Sequence, residues 1–515
     1  MYLGLSLFFF LVGGLEAMII RAQLSIANNT LVSPEVFNQL FTMHGTTMIF
    51  LVLMPALVGL ATYFIPLMIG ANEMAFPRLN AFSFWITFFG GLLLYFSFFA
   101  GGAPQAGWFN YVPLSEFNYS STQGVDYYLV GLILLGMGSI GAALNFVTTT
   151  IILRAEGMLY NKLPLFVWMV FVNGFLILAA MPLLNAGLFM LLADRQMDAH
   201  FFLSSSGGST ILWQHFFWAF GHPEVYILAL PAFGIISEVI PVFSRKPIFG
   251  YNFVAISSVA IALLAFGVWA HHMFAAGLPN MVNSFFAASS MLIGIPTGIK
   301  VINWVGTLYK GSIRMTIPMM FAIAFLIDFT IGGLSGMSFA IVPIDWQLTD
   351  TYYVVAHIHY VFLGGTTFAI FAGIYYWFPK ITGRFLSEKL GKWHLWLFLI
   401  GFNLTFFLQH FLGMIGMPRR IYTYPDIPYW EMLNMASSIG AVFMFLAVAI
   451  FLYNIVNTLR QKPTAGADPW DAWTLEWYTS SPPPLKNFEE LPKVEGRRPL
   501  WDLKHPDQKD TSHER

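Results

Sequence analysis

Twelve apolar runs, each long enough to cross a lipid bilayer as a helix, follow one another along the chain with only short polar breaks between them. A spanning helix needs roughly 20 apolar residues. In lipid every backbone group must find its partner inside the protein, which leaves a helical bundle as the natural solution. The first six runs are approximately Met1 to Ile20, Leu40 to Ile69, Phe82 to Phe99, Tyr128 to Ile152, Leu163 to Leu192 and Ile211 to Val242. The second six are Phe253 to Ala275, Phe285 to Trp304, Met315 to Leu334, Tyr352 to Phe378, Leu395 to Met414 and Met435 to Val456. Several exceed one crossing, which implies tilt or helical extension beyond the hydrocarbon rather than extra spans. With 57% hydrophobic and 10% charged residues, and the charges kept out of the runs, a set of soluble domains is excluded. The expected fold class is all-α, a polytopic membrane protein of twelve transmembrane helices.

Lys and Arg concentrate on alternate loops: Arg78; Arg154 and Lys162; Arg245 and Lys246; Lys310 and Arg314; Lys380, Arg384, Lys389 and Lys392; then Arg460 and Lys462. The opposite loops carry only Arg21, Arg195, Arg419 and Arg420. This bias predicts that both termini are cytoplasmic, in a cell inner membrane, or on the matrix side of a mitochondrial inner membrane. The first run has neither a cationic leader nor a small-residue cleavage site, so a secretory signal is the weaker reading. Past residue 460 the chain turns polar and Pro-rich, as in Ser480-Ser481-Pro482-Pro483-Pro484. We read 1–460 as the transmembrane domain and 461–515 as a polar cytoplasmic tail without a core of its own. The chain has no cysteine, which excludes disulfides and thiolate metal sites within it. Any metal must be held by His or oxygen, and nothing in the charge pattern points to nucleic acid.

Histidines inside apolar helices are costly unless partnered. His215 and His410 are read as hydrogen-bonded structural groups, but six others cluster on four helices. In Val354-Val355-Ala356-His357-Ile358-His359-Tyr360 the two imidazoles are turned by about 200° on a helix and face opposite sides. They could serve two separate pockets, each with its own heme iron, or bond to two neighbouring helices. Trp269-Ala270-His271-His272-Met273 sets two imidazoles about 100° apart near the end of a helix. Gly221-His222-Pro223-Glu224-Val225-Tyr226 supplies a third. Three neutral imidazoles with an open position suit copper, and zinc accepts them as well. His222 and Tyr226 share a helical face, and Pro223 is expected to kink that helix.

Two further groups are ionisable and lie in apolar surroundings. Glu224, among Phe, Trp and Leu, is favoured there in its neutral, proton-carrying form. Lys300 costs about 2.5 to 3.5 kcal/mol near a bilayer centre. Thr297 lies one turn earlier, and Ser237 with Glu238 sits low on the sixth helix. A lysine snorkelling to water is the alternative.

Taken together, the Gly-His-Pro-Glu-Val-Tyr motif, the His-His pair, Pro296-Thr297-Gly298-Ile299-Lys300 and Asp350-Thr351-Tyr352-Tyr353 before His357 resemble subunit I of the A-type heme-copper oxidases over essentially the whole chain. The resemblance implies that His44 and His359 ligate a low-spin heme, His357 a high-spin heme, and His222, His271 and His272 copper-B. It implies two hemes, of type A, and one copper. Tyr226 would be the tyrosine covalently joined to His222, giving an electron and a proton during O–O cleavage. Arg419 and Arg420 would lie above the heme propionates and Arg21 near a low-spin heme substituent. Glu224 would be the branching proton donor, with Lys300, Thr297 and Ser237 on one proton pathway and Glu73, Asn80, Asn145 and Ser139 on another. The implied activity is four-electron reduction of O2 to water coupled to proton pumping, with electrons from cytochrome c through a dinuclear copper in subunit II. Subunit III and membrane lipid are further expected partners.

Several positions depart from the family pattern. Glu73 stands where the family has Asp, Thr62 where an asparagine is expected, and Gly138-Ser139 in place of a serine pair. Thr349 replaces a histidine that helps bind magnesium, which leaves Asp350 as half of this subunit's contribution. The family's leading cytoplasmic segment is absent, so a truncated sequence or an unusual start methionine is expected. A quinol oxidase is the alternative; the positions that carry its Arg, Asp, His and Gln are here Val12, Glu16, Val36 and Gln39, which favours cytochrome c. A twelve-helix secondary transporter explains the spans but not the ordered histidines.

Overall fold

In the computed structural model, which describes residues 1–508, the chain is helical throughout, and among the described residues the only β-type pairing is an isolated bridge between Thr351 and Pro418. Among the described residues eleven helices are long and apolar enough to cross a membrane, and a shorter apolar helix lies among them. In chain order we number them α1 Tyr2–Gln23, α2 Pro34–Ile69, α3 Pro77–Phe96, α4 Gly124–Ile152, α5 Leu165–Met197 and α6 Thr210–Ser244. The others are α7 Tyr251–Ala265, α8 Asn280–Leu308, α9 Ile317–Phe339, α10 Tyr352–Thr382, α11 Glu388–Met414 and α12 Trp430–Leu459. The short one is α7, with 15 residues. Its apolar run passes through Phe266-Gly267-Val268 and closes in a 3-10 turn, Trp269–Met273. His271 and His272 were expected on the end of a helix with about 100° between them. They stand instead on this turn, where successive side chains are about 120° apart.

Burial separates the central helices from the peripheral ones. In α6, 83% of the most apolar window is buried, and in α2 78%, against 28% in α1, α8 and α12. The peripheral helices present bare apolar side chains outward, such as Phe8, Leu11 and Leu15 on α1 and Phe253, Ile256 and Leu263 on α7. Buried polar and ionisable groups point inward, the arrangement expected when the solvent is hydrocarbon.

Small residues bring several helices close. A Cβ on Gly131 of α4 would lie 2.9 Å from the Gly90 carbonyl oxygen of α3, and one on Gly440 of α12 would lie 2.6 Å from that of Gly401 on α11. Such backbone approaches replace the hydrophobic drive that lipid cannot supply. The central helix α6 contains Pro223, Pro231 and Pro241 and still runs from Thr210 to Ser244. A proline has no N–H and frees the carbonyl four residues earlier. For Pro231 that carbonyl belongs to Ile227, and the buried Asn173 of α5 donates to it at 3.0 Å. Helices α2 and α10 each contain a π-helical stretch, Thr47–Leu53 and Phe362–Thr367. Both begin just after histidines discussed below, a placement often associated with functional sites.

Beyond α12 the polar segment builds no separate core. Its Ala472, Leu475, Trp477, Phe488, Val494 and Leu500 are buried in the same apolar cluster as the bundle. Residues 509–515 of that stretch lie outside the described residues.

Candidate functional site

Three imidazoles from α6 and the 3-10 turn converge. His222 Nδ1 lies 3.1 Å from His271 Nε2, which lies 3.1 Å from His272 Nε2. Together with the outer pair, the three atoms lie within 4.8 Å of one another. The far side of each ring is held in a different way. His271 Nδ1 is hydrogen-bonded to Ser290 Oγ of α8 at 2.7 Å, and Trp218 stacks on His272 with centroids 4.0 Å apart and planes at 12°. Outer contacts of this kind fix which nitrogen is offered to a metal. His222 Nε2 is buried with no hydrogen-bond partner and its ring lies 4.9 Å from that of Tyr226. The trio therefore fits a cation bound through neutral nitrogens, since three lone pairs this close repel each other unless something positive lies between them.

A second pair faces across the bundle. The rings of His44 on α2 and His359 on α10 are stacked at 13° with centroids 6.3 Å apart. Two metal–nitrogen bonds of about 2.0–2.1 Å each, with half an imidazole on either side, fill that separation. Each ring has its Nδ1 on a backbone carbonyl, His44 on Gly13 at 2.9 Å and His359 on Val355 at 2.7 Å. This leaves the Nε2 atoms as the facing donors, and Phe406 stacks behind His359 at 4.0 Å and 10°.

His357 points elsewhere, as its spacing on α10 predicts. Its Nδ1 is shared between the Gly332 carbonyl and Ser335 Oγ of α9, both at 3.0 Å. A Cβ on Gly336 would lie 2.8 Å from its ring, so only glycine leaves room for the imidazole there. The donor set therefore fits one iron between His44 and His359, a second at His357 and a copper at the trio.

The residues expected on the proton routes fall into two groups. Glu224 is fully buried on α6, and neither carboxyl oxygen has a hydrogen-bond partner. Lys300 on α8 is also fully buried, its Nζ donating to the Val254 carbonyl at 2.8 Å and to Ser258 Oγ at 2.7 Å, so it does not snorkel. Thr297 Oγ1 bonds back to Ile293, and Ser237 Oγ accepts from Trp304 Nε1 at 3.0 Å. On the other side, Glu73 is exposed in the loop before α3, and Asn80 is half-buried in its first turns. Asn145 of α4 uses both ends of its amide on the backbone of Phe76, accepting from the N–H and donating to the carbonyl, each at 3.0 Å. It thereby clamps the loop that carries Glu73. Ser139 lines a cavity of about 10 Å³ together with Thr87, Phe50 and Met54, close to the lower limit for holding one water.

The remaining cations lie near the ends of α10, α11 and α12. Arg419 is ion-paired with Asp350 at 2.6 Å. The Arg420 guanidinium lies 4.2 Å over Phe109, where burial, aided by the adjacent Arg419, lowers it to about 9. Arg21 of α1 donates through one Nη to Asn434 and Ser438 of α12, while its Nε and other Nη are buried without partners. Asp345, which sequence reasoning did not single out, is buried in the short helix Val342–Leu348, and burial followed by the nearby Asp350 raises it to about 7. His215, read as structural, accepts from Trp269 Nε1 at 3.2 Å.

Residues 1–443 match the family described as Cytochrome C and Quinol oxidase polypeptide I. The chain is 50% identical over 502 residues to cytochrome c oxidase subunit 1 of Bacillus subtilis (strain 168), covering 97% of this chain and 80% of that one. It is 48% identical over 510 residues to a putative cytochrome c oxidase subunit 1-beta of Streptomyces coelicolor, covering 98% and 88%. A heme-copper terminal oxidase solved by cryo-EM shares the fold, with a TM-score of 0.75 at 19% identity over 96% of this chain and 87% of that one. Matched over most of its length and identical at about half its positions to such relatives, the chain belongs to the cytochrome c and quinol oxidase polypeptide I family, the catalytic subunit of heme-copper terminal oxidases.

Proposed function

We propose that this subunit takes electrons from a c-type cytochrome through a dinuclear copper in subunit II and delivers protons by two separate routes. The chain is a multi-pass membrane oxidoreductase of a terminal respiratory oxidase, a class that holds hemes and copper, pumps protons and works in a complex with subunits such as subunit II. The convergence of His222, His271 and His272 is the observation that carries the site assignment, and His357 is read as the ligand of the neighbouring heme. When bound, the heme iron and copper supply the electrons and the open coordination position for reducing O2 to water. Tyr226 gives a proton and an electron, and its ring, 4.9 Å from that of His222, together with the unpartnered His222 Nε2 supports a covalent link between the two side chains.

Glu224 is the donor that holds a proton between the routes and the metals; Lys300, with Thr297 and Ser237, serves one route, and Glu73, Asn80, Asn145 and Ser139 the other. Arg419 and Arg420 face the propionates. The unpartnered Nε and Nη of Arg21 support heme A, whose polar substituents need a donor. Asp350 is already balanced by Arg419, so a magnesium there depends on ligands from subunit II. Val12 and Val36, which offer no hydrogen bond to a quinol headgroup, support cytochrome c as donor. The bare apolar faces of α1, α7 and α12 support lipid and subunit III as neighbours. The loop charges support an inner-membrane location with both termini cytoplasmic. Residues 1–460 form the catalytic domain, and 461–515 the cytoplasmic segment.

Metal analysis of His222→Ala tests the site. The purified complex is expected to keep both hemes and lose the copper that is not in subunit II. Full retention of that copper contradicts the assignment.

A further inference from the structure

The C-terminal segment places a fully buried carboxyl against titratable groups of the bundle. Glu476 lies on the 3-10 turn Leu475–Trp477, outside the spanning helices, yet is fully buried. One oxygen accepts a long hydrogen bond of 3.4 Å from Trp377 Nε1 of α10, and the other has no partner. Leaving a buried carboxyl half-satisfied is costly.

Its surroundings lead inward. The Trp377 ring packs on Phe166 at 5.2 Å, and the Phe166 N–H donates to Glu238 Oε1 of α6 at 3.0 Å. The two carboxyls thus flank one aromatic contact and interact electrostatically. Glu238 adjoins Ser237, which accepts from Trp304, and Trp304 lies one turn from Lys300 on α8. The titratable groups facing Glu476 are Lys380 and Tyr376 of α10, Glu238 of α6 and Asp468 of its own segment. Burial outweighs the hydrogen bonds offered by Thr474, its own backbone N–H and Trp377 and the charge of Lys380, and raises Glu476 to about 7, so it exchanges protons near neutrality.

We propose that Glu476 and Glu238 form a proton-collecting carboxyl pair at the inner end of the Lys300 route, so that the C-terminal segment supplies a working residue of that pathway. The proposal rests on the reading of Lys300 given above. The Glu476 carboxylate takes a proton originating in cytoplasmic water and passes it to the Glu238 carboxylate. Glu476 returns to its ionised form, ready for the next proton, while Glu238 releases its own toward Ser237. Neighbouring carboxyls favour sharing one proton over both being ionised.

Stopped-flow reduction of the oxidised complex, with Glu476→Gln, Glu476→Asp and Lys300→Met in parallel, tests this. Glu476→Gln keeps the acceptor for Trp377 and removes the proton site; it is expected to slow high-spin heme reduction by roughly tenfold or more. The wild-type rate should fall as pH rises through about 7, because the protonated fraction of Glu476 falls, and this decline should flatten in Glu476→Gln. Reaction of the pre-reduced variant with O2 should keep its wild-type rate. Glu476→Asp retains an acid and should keep fast reduction with a displaced pH midpoint. If Lys300→Met slows reduction while Glu476→Gln keeps the wild-type rate and pH profile, the carboxyl pair is wrong. If Lys300→Met reduces at the wild-type rate, the Lys300 route itself fails. Should Glu476→Gln not assemble, an unmoved midpoint in Glu476→Asp overturns the proposal.

Discussion

His357 and His359 are separated by one residue, and their environments share nothing. One is held by Gly332 and Ser335 of α9, the other is stacked between Phe406 and His44. Replacing His359 with Ala is expected to abolish the low-spin heme signal in a reduced-minus-oxidised spectrum, while His357→Ala spares it. Loss of the same heme from both variants would show that the two faces do not serve different irons. These opposed faces were legible in the sequence because a period of 3.6 residues per turn dictates them. The state of Lys300 was not, because its satisfaction depends on Val254 and Ser258, which a different helix brings to it. The pairing of Arg419 with Asp350 was hidden for the same reason, as they lie 69 residues apart in the chain.

At the scale of elements, α6 carries the buried Glu224 and α8 the buried Lys300, and the two groups are expected to fail differently. Moving one charge across 100 mV requires about 2.3 kcal/mol, so a pump needs a donor that holds its proton until released. Glu224→Gln should permit reduction and O2 binding but stall the proton-coupled steps that follow. Lys300→Met should slow reduction of the metal pair and leave the pre-reduced enzyme able to react. Flow-flash kinetics on both variants check this, and identical defects in the same half of the cycle would mean one route instead of two. The α5–α6 contact makes a separate prediction. Asn173→Leu leaves the Ile227 carbonyl freed by Pro231 without its donor, and should cost about 1–3 kcal/mol. A thermal unfolding profile of the complex unchanged by that substitution would show that the carbonyl has another partner. Sequence reasoning anticipated disturbance only at Pro223, not at Pro231, and could not name Asn173, which is 54 residues from Ile227. It also extended helix α7 through His271 and His272, because apolar composition continues across the break at Phe266-Gly267-Val268 while the helix does not.

For the molecule as a whole, composition identified the bundle because hydrocarbon leaves a chain few ways to satisfy its backbone. Composition was less informative past residue 460. Pro-rich, charged stretches read as lacking a core, yet Leu475 and Trp477 are buried against the bundle, and Asn487 Nδ2 donates to the carbonyls of Ala71 and Asn72 beside Glu73. The segment therefore touches the inner ends of both proposed proton routes. The electron donor is a property of the whole complex, and this subunit bears on it through what it lacks at Val12 and Val36. O2 uptake by the intact purified complex, driven in turn by a reduced c-type cytochrome and by a quinol, tests the account most directly. The account predicts rapid uptake with cytochrome, four electrons per O2, together with dinuclear copper in the partner subunit, and no comparable rate with quinol. Robust quinol oxidation by a complex devoid of dinuclear copper would contradict it.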